Sequence, residues 1–142
     1  NTTATYTPQP DGSIMVENAG QYFGPNGPAV NITGAAVSTN TPTNTQLQVG
    51  FGPRPPKPNV PGNYWIIDYA PDYSWAIVSD PSLRSGYILT REQTISEAEY
   101  DALVDRAQQL GVRGRILQTK QFPPSSAATV PGPGSIPATV TV

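Results

Sequence analysis

The sequence predicts an all-β fold: an antiparallel up-and-down barrel with one C-terminal helix packed outside. Three observations carry this. Proline (17) and glycine (13) together fill more than a fifth of the 142 positions, against an average near 12%, and neither suits helix interiors. Three runs of aromatic and β-branched residues follow one another between positions 64 and 90. Only one segment, near 97–110, has helical spacing.

The elements follow in order. Thr3–Tyr6 and Ile14–Val16 are β-prone, and Asp11-Gly12 between them is a hairpin turn signal. Ala29–Val37 is a third strand. Gln46–Phe51 alternates polar and apolar, with Leu47, Val49 and Phe51 on its apolar side. Arg54-Pro55-Pro56-Lys57-Pro58 reads as a stiff connector, although a proline-reading partner would accept the same pattern. Tyr64–Tyr69, Trp75–Ser79 and Gly86–Thr90 form a meander broken at Ala70-Pro71-Asp72 and Asp80-Pro81-Ser82. Ser96-Glu97-Ala98-Glu99 is a capping box, with Ile95 and Tyr100 at the staple positions. Tyr100, Leu103, Val104, Ala107 and Leu110 make one apolar stripe, and Gly111 is placed as a left-handed cap. Arg115–Gln118 reads as a last short strand.

Length allows one domain. Residues 1–121 are read as the barrel, with the helix at about 97–110, and 122–142 as a tail rich in proline, glycine and threonine. The chain begins at Asn1 without a methionine, as expected of a processed or trimmed chain. With no cysteine and no histidine, thiol and Ser-His-Asp catalysis and His-ligated metal are excluded within the chain. A net charge of −2 and 13% charged residues argue against nucleic-acid partners. No apolar run is long enough for a transmembrane helix. Asp68, Asp72 and Asp80 would be needed for acid-pair hydrolysis or calcium binding. All three lie at turns, where aspartate caps the local backbone. No metal, no cofactor and no enzymatic activity are therefore expected.

Three stretches bear a family resemblance. Gly62-Asn63-Tyr64-Trp65-Ile66-Ile67-Asp68-Tyr69, continued by Tyr73-Ser74-Trp75-Ala76-Ile77-Val78, resembles the second signature of the lipocalins. Ile88-Leu89-Thr90-Arg91-Glu92-Gln93-Thr94-Ile95-Ser96 resembles the third. Thr3-Ala4-Thr5-Tyr6, Asp11-Gly12 and Val16-Glu17-Asn18 resemble the second and third strands of the branch holding apolipoprotein D and the bacterial lipocalins. The resemblance runs in order over residues 1–121. The family's first signature, Gly-x-Trp on the first barrel strand, is missing. Arg91, whose family counterpart packs on that Trp at the closed end of the barrel, has no such partner in this sequence.

A barrel without its first strand leaves two edges, which are association sites. The strand would come from a separate N-terminal peptide or be absent from this sequence. Alternatively the tail would supply it, within the chain or to a neighbouring subunit, or the barrel would stay open. Ile136, Ala138, Val140 and Val142 alternate with threonines, although Pro137 suits only an edge.

Such a fold implies a small hydrophobic ligand in the barrel: a fatty acid, lysophospholipid, sterol, retinoid or pigment. Registering on the third signature points Tyr87 and Leu89 inward. Alternation adds Leu47, Val49, Phe51, Tyr64, Ile66, Trp75 and Ile77. These residues would line a pocket or fill a solid core. Sequons at Asn1 and Asn31 are glycosylation candidates and point to a secreted protein. The alternative function is a structural subunit of an extracellular assembly, joined through open edges and the tail.

Overall fold

A computed structural model describes residues 2–21, 27–119 and, for the backbone, 138–141. Seven antiparallel strands wind in sequence order: β1 (Thr3–Pro8), β2 (Ile14–Gln21), β3 (Ala29–Ser38), β4 (Gln46–Gly50), β5 (Tyr64–Tyr69), β6 (Trp75–Ser79) and β7 (Gly86–Thr90). Helix α1 (Glu97–Gln109) follows. A short strand from the tail, β8 (Ala138–Thr141), pairs with β1 from Thr3↔Thr141 to Tyr6↔Ala138 and meets β7 at Thr90↔Thr141. That strand closes the barrel, in the order β1 to β8. The 138–141 strand therefore fills the slot between β1 and β7 within its own chain.

Local chemistry sets the connections. At the first hairpin Gly12 has φ +83° and donates to the Gln9 carbonyl, while the Ser13 amide donates to the Asp11 carboxylate. Between β4 and β5 the ladder is short, with Gln46↔Trp65 and Leu47↔Tyr64 only. Asn63 lengthens it: its side-chain amide accepts from the Val49 N–H and donates to the Val49 carbonyl, as a strand residue would. Gly62 makes this approach possible. It has φ +82°, and a Cβ there would lie 2.4 Å from the Leu47 carbonyl oxygen.

The helix starts and stops where its sequence dictates. The Ser96 side chain accepts from the Glu99 amide, and Glu99 accepts from the Ser96 amide. Leu110 is the C-cap, and Gly111 beyond it has φ +101°. Leu103 and Ala107 are its buried residues. Ala107, Val112 and Ile77 form a cluster against which Ile67, Trp75 and Ile116 pack, so the helix covers the outside of β5 and β6. The Arg106 guanidinium pairs with Asp68 on β5 and stands 5.6 Å over the Trp75 ring.

The strand expected at Arg115–Gln118 does not form. After the helix the chain docks on the 80–85 turn, where the Arg113 amide donates to the Leu83 carbonyl and a Cβ on Gly114 would strike the Arg84 carbonyl. Ile116 turns into the outer cluster, and Leu117 is left exposed. The Ile116 side chain and a hydrogen bond from the Tyr100 hydroxyl to the Ile116 carbonyl hold this segment, without a ladder.

Two predictions follow from the outer layer. Ile77 is fully buried, so Ile77→Ala is expected to cost about 2–5 kcal/mol in urea unfolding. Asp80 accepts from the Ser82 and Ser85 amides and hydroxyls, which hold its carboxyl well below the usual carboxylate range. A depressed pKa stabilises the fold above about pH 4 and ceases to do so as the pH falls below it. Asp80→Asn is expected to flatten the loss of stability between about pH 5 and pH 2, read as urea midpoints against pH.

Candidate functional site: a cavity at one end of the barrel

In an antiparallel ladder, directly paired residues share a face. Ile66 pairs with Val78 and Val78 with Tyr87, while Tyr69 pairs with Ala76 and Ala76 with Leu89. These six residues therefore lie on one face of β5–β7, the face turned into the barrel. The opposite face carries Asp68, Ile77 and Ile88, and it lies under the helix. An irregularity between Ile66 and Asp68 lets both Ile67 and Asp68 serve that outer side.

A cavity of about 250 Å³ opens on the inner face. Ile66, Ala76 and Leu89 form its apolar floor, and Tyr69, Tyr73 and Arg91 its rim. Thr43, Asn44 and Thr45 from the β3–β4 turn close one side. Tyr69 and Tyr73 stack with ring centroids 5.5 Å apart and planes 6° apart. Tyr73 sits at φ +58° and Asn44 at φ +53°. The left-handed region suits asparagine far better than tyrosine. Tyr73 is held there by its amide donating to the Ala70 carbonyl and by Asp72, which accepts from the Ser74 amide. The Ser74 hydrogen bonds keep the Asp72 carboxyl below its ordinary range. Arg91 is fastened to the same turn: its amide donates to the Ser74 carbonyl and its Nε to the Tyr73 carbonyl at 3.1 Å. The guanidinium thus sits beside an apolar hollow with its η nitrogens unpaired among the described residues.

Further along the barrel the interior is filled. Val16, Ala36 and Leu47 are buried together, with Tyr6, Ile14, Val49 and Tyr64 packed on them. The Tyr6 and Tyr64 hydroxyls meet at 2.9 Å across the interior. Burial pushes both phenols above their ordinary pKa.

The expected pocket residues therefore separate. Ile66 and Leu89 line the cavity, and Arg91, which the resemblance assigned to the closed end of the barrel, is at its rim, so the cavity lies at the end that carries Arg91. Leu47, Val49 and Tyr64 belong to the filled part of the interior. Phe51 and Tyr87 stand 55% and 53% exposed at the other end of the barrel, with the Phe51 ring against Gly34. Trp75 and Ile77 reverse the expected parity. Trp75 borders the cavity, but its ring lies in the outer cluster with Ile77. β6 is covered on both faces, so its run Trp75–Val78 is apolar throughout and alternation assigns no side. Asn31 is exposed on β3, while Asn1 lies outside the described residues. Sequence reasoning missed Tyr69, Tyr73 and Ala76; a tyrosine on each side of a Pro-Asp turn was the signal for the first two.

Residues 1–121 match the family model described as a lipocalin-like domain. The chain belongs to the lipocalin family. It is 35% identical over 114 residues to temperature-induced lipocalin-1 of Arabidopsis thaliana, covering 78% of this chain and 60% of that protein. The chain thus spans less than two thirds of this relative's length. Lipocalins are in general binding and transport proteins, and the family points to small hydrophobic ligands. No helix among the described residues is long and apolar enough to cross a membrane.

The tyrosine pair yields a test of the filled interior. Tyr6→Phe leaves the Tyr64 hydroxyl without its partner and is expected to cost about 1–3 kcal/mol. The double variant with Tyr64→Phe is expected to cost clearly less than the sum of the two single changes, as a double-mutant cycle measures. Raised phenol pKa values stabilise the fold below about pH 10 and cease to do so above it. The double variant should therefore lose less stability between about pH 9 and pH 11.

Proposed function

We propose that this protein binds and carries a small hydrophobic ligand in its barrel, with no catalytic step. The observation that carries the reading is the cavity of about 250 Å³, whose floor is apolar and whose rim holds Arg91. A cavity of about 150 Å³ accepts benzene, so this one suits the ring or terminal chain segment of a larger amphiphile. Within the ligand classes that the family suggests, a cation beside an apolar hollow favours an anionic amphiphile. A fatty acid or lysophospholipid fits that chemistry better than a sterol, retinoid or neutral pigment. The inner face of β5–β7 supplies the apolar contact and the stacked tyrosines supply edge and hydroxyl. Membership of the branch with apolipoprotein D and the bacterial lipocalins belongs to the same reading, and rests on the β1–β2 segment. So does secretion, supported by the exposure of the Asn31 sequon.

Displacement of a fluorescent fatty acid tests this. Saturable binding is expected. Ala76→Phe, which fills the floor, should weaken it at least about tenfold, the loss of roughly 1.4 kcal/mol. Arg91→Gln should weaken a fatty acid about fivefold more than it weakens the matching fatty alcohol. Non-saturable binding, or affinity indifferent to Ala76→Phe, would contradict the proposal.

A further inference from the structure

We propose that the hollow between α1 and the outer face of β6–β7 is a second binding site, and that it takes a small organic cation, an amine on an apolar body. This site stands apart from the ligand proposed for the barrel. The hollow has a volume of about 590 Å³, more than twice that of the barrel cavity. Small-molecule sites run from roughly 300 to 1,000 Å³. It lies outside the barrel, since Trp75 pairs with Thr90 and both stand on the face of the sheet that carries Ile77.

Local sequence carves the hollow. At the end of β7 the Thr90 hydroxyl donates to the Glu92 carbonyl at 2.7 Å, which turns the chain off the strand toward Ile95 and the helix cap. Glu99, Ala102, Leu103 and Arg106 then follow at helical spacing along one flank of α1. Ser74 and Thr90 on the strands and Ala102 on the helix are small, and they border the hollow among the larger Trp75, Ile95 and Leu103. Small side chains on both walls leave the gap unfilled, with an apolar floor.

Charge selects the ligand. Glu92, Glu99, Asp105 and Arg106 are the charged side chains on the border. Arg106 is already paired with Asp68 and stands over the Trp75 ring. Glu99 accepts from the Ser96 amide and hydroxyl. The Glu92 and Asp105 carboxylates have no partner among the described residues. An anion placed here meets two uncompensated carboxylates and no unpaired cation on the border. An ammonium beside Glu92 and Asp105, with its apolar body on Trp75, Ile95 and Leu103, complements both rim and floor. A cavity of about 150 Å³ accepts benzene, so this one has room for a body of roughly twenty carbon atoms by the same proportion.

The test uses the full-length chain and three probes of one shape: phenylbutylamine, phenylbutanol and phenylbutyrate. Amide NMR is the readout. Shifts of the Glu99–Gln109 amides report the outer hollow, and those of Thr43–Thr45 report the barrel cavity. Phenylbutylamine is expected to saturate the helix shifts, with an affinity at least about tenfold above that of phenylbutyrate. Ala102→Phe, at an exposed helix position, fills the hollow without touching the core and should weaken the amine at least about tenfold. Glu92→Gln combined with Asp105→Asn should weaken the amine about fivefold more than it weakens the alcohol. The proposal is overturned if the amine gives no saturable helix shift or saturates only the Thr43–Thr45 shifts. It is equally overturned if phenylbutyrate matches the amine on the helix, or if Ala102→Phe leaves the amine's affinity unaltered.

Discussion

Everything inside this barrel depends on how the open sides of β1 and β7 are satisfied. A curled sheet with two free edges exposes unpaired amides and lets water into its interior. Here Ala138–Thr141 lies along β1 and meets β7 at Thr90↔Thr141. Tyr6, on β1 beside that seam, extends its hydroxyl to Tyr64 across the interior. The filled half of the barrel is thus directly linked to the strand that closes it.

β6 divides the rest of the molecule into two layers. Its inner residues, Ala76 and Val78, share a face with Ile66 and Leu89 and so belong to the lumen. Its outer residues, Trp75 and Ile77, lie under α1. The pairing of Arg106 with Asp68, and its place over Trp75, fix the helix to the same wall from outside. Arg91 does the corresponding work at the strand end, by binding the turn that carries Tyr73. The wall behind the cavity is thus fastened from both sides of one strand.

Much of this was legible, for local reasons. Ser96, Glu99 and Gly111 mark the helix ends because they satisfy its first amides and its left-handed exit. Asp11-Gly12 fixes the first hairpin, and the three aromatic runs fix the meander. Parity on β6 was not legible, since a strand buried on both faces has no polar side to read. The irregularity in β5 hid for the same reason: Tyr64–Ile67 is apolar on both sides. Arg115–Gln118 has strand composition but no neighbour to pair with, since the chain there follows the 80–85 turn. Tail pairing was one of several options in the sequence, because its choice of partner is a long-range event that alternation cannot encode. The stacking of Tyr69 on Tyr73 was not legible, because it depends on a left-handed tyrosine that no local sequence rule places.

Closure of the seam is most directly tested by amide hydrogen exchange of the full chain at micromolar concentration. The informative amides are those of Thr3–Tyr6, on the side of β1 that faces away from β2. With β8 in the slot, they are expected to exchange with protection close to that of the β2 amides, and to lose it together with the barrel as denaturant is added. Exchange within seconds, at the rate of a frayed edge, while β2 stays protected, would show that the barrel is open at β1 and would contradict this account of its closure.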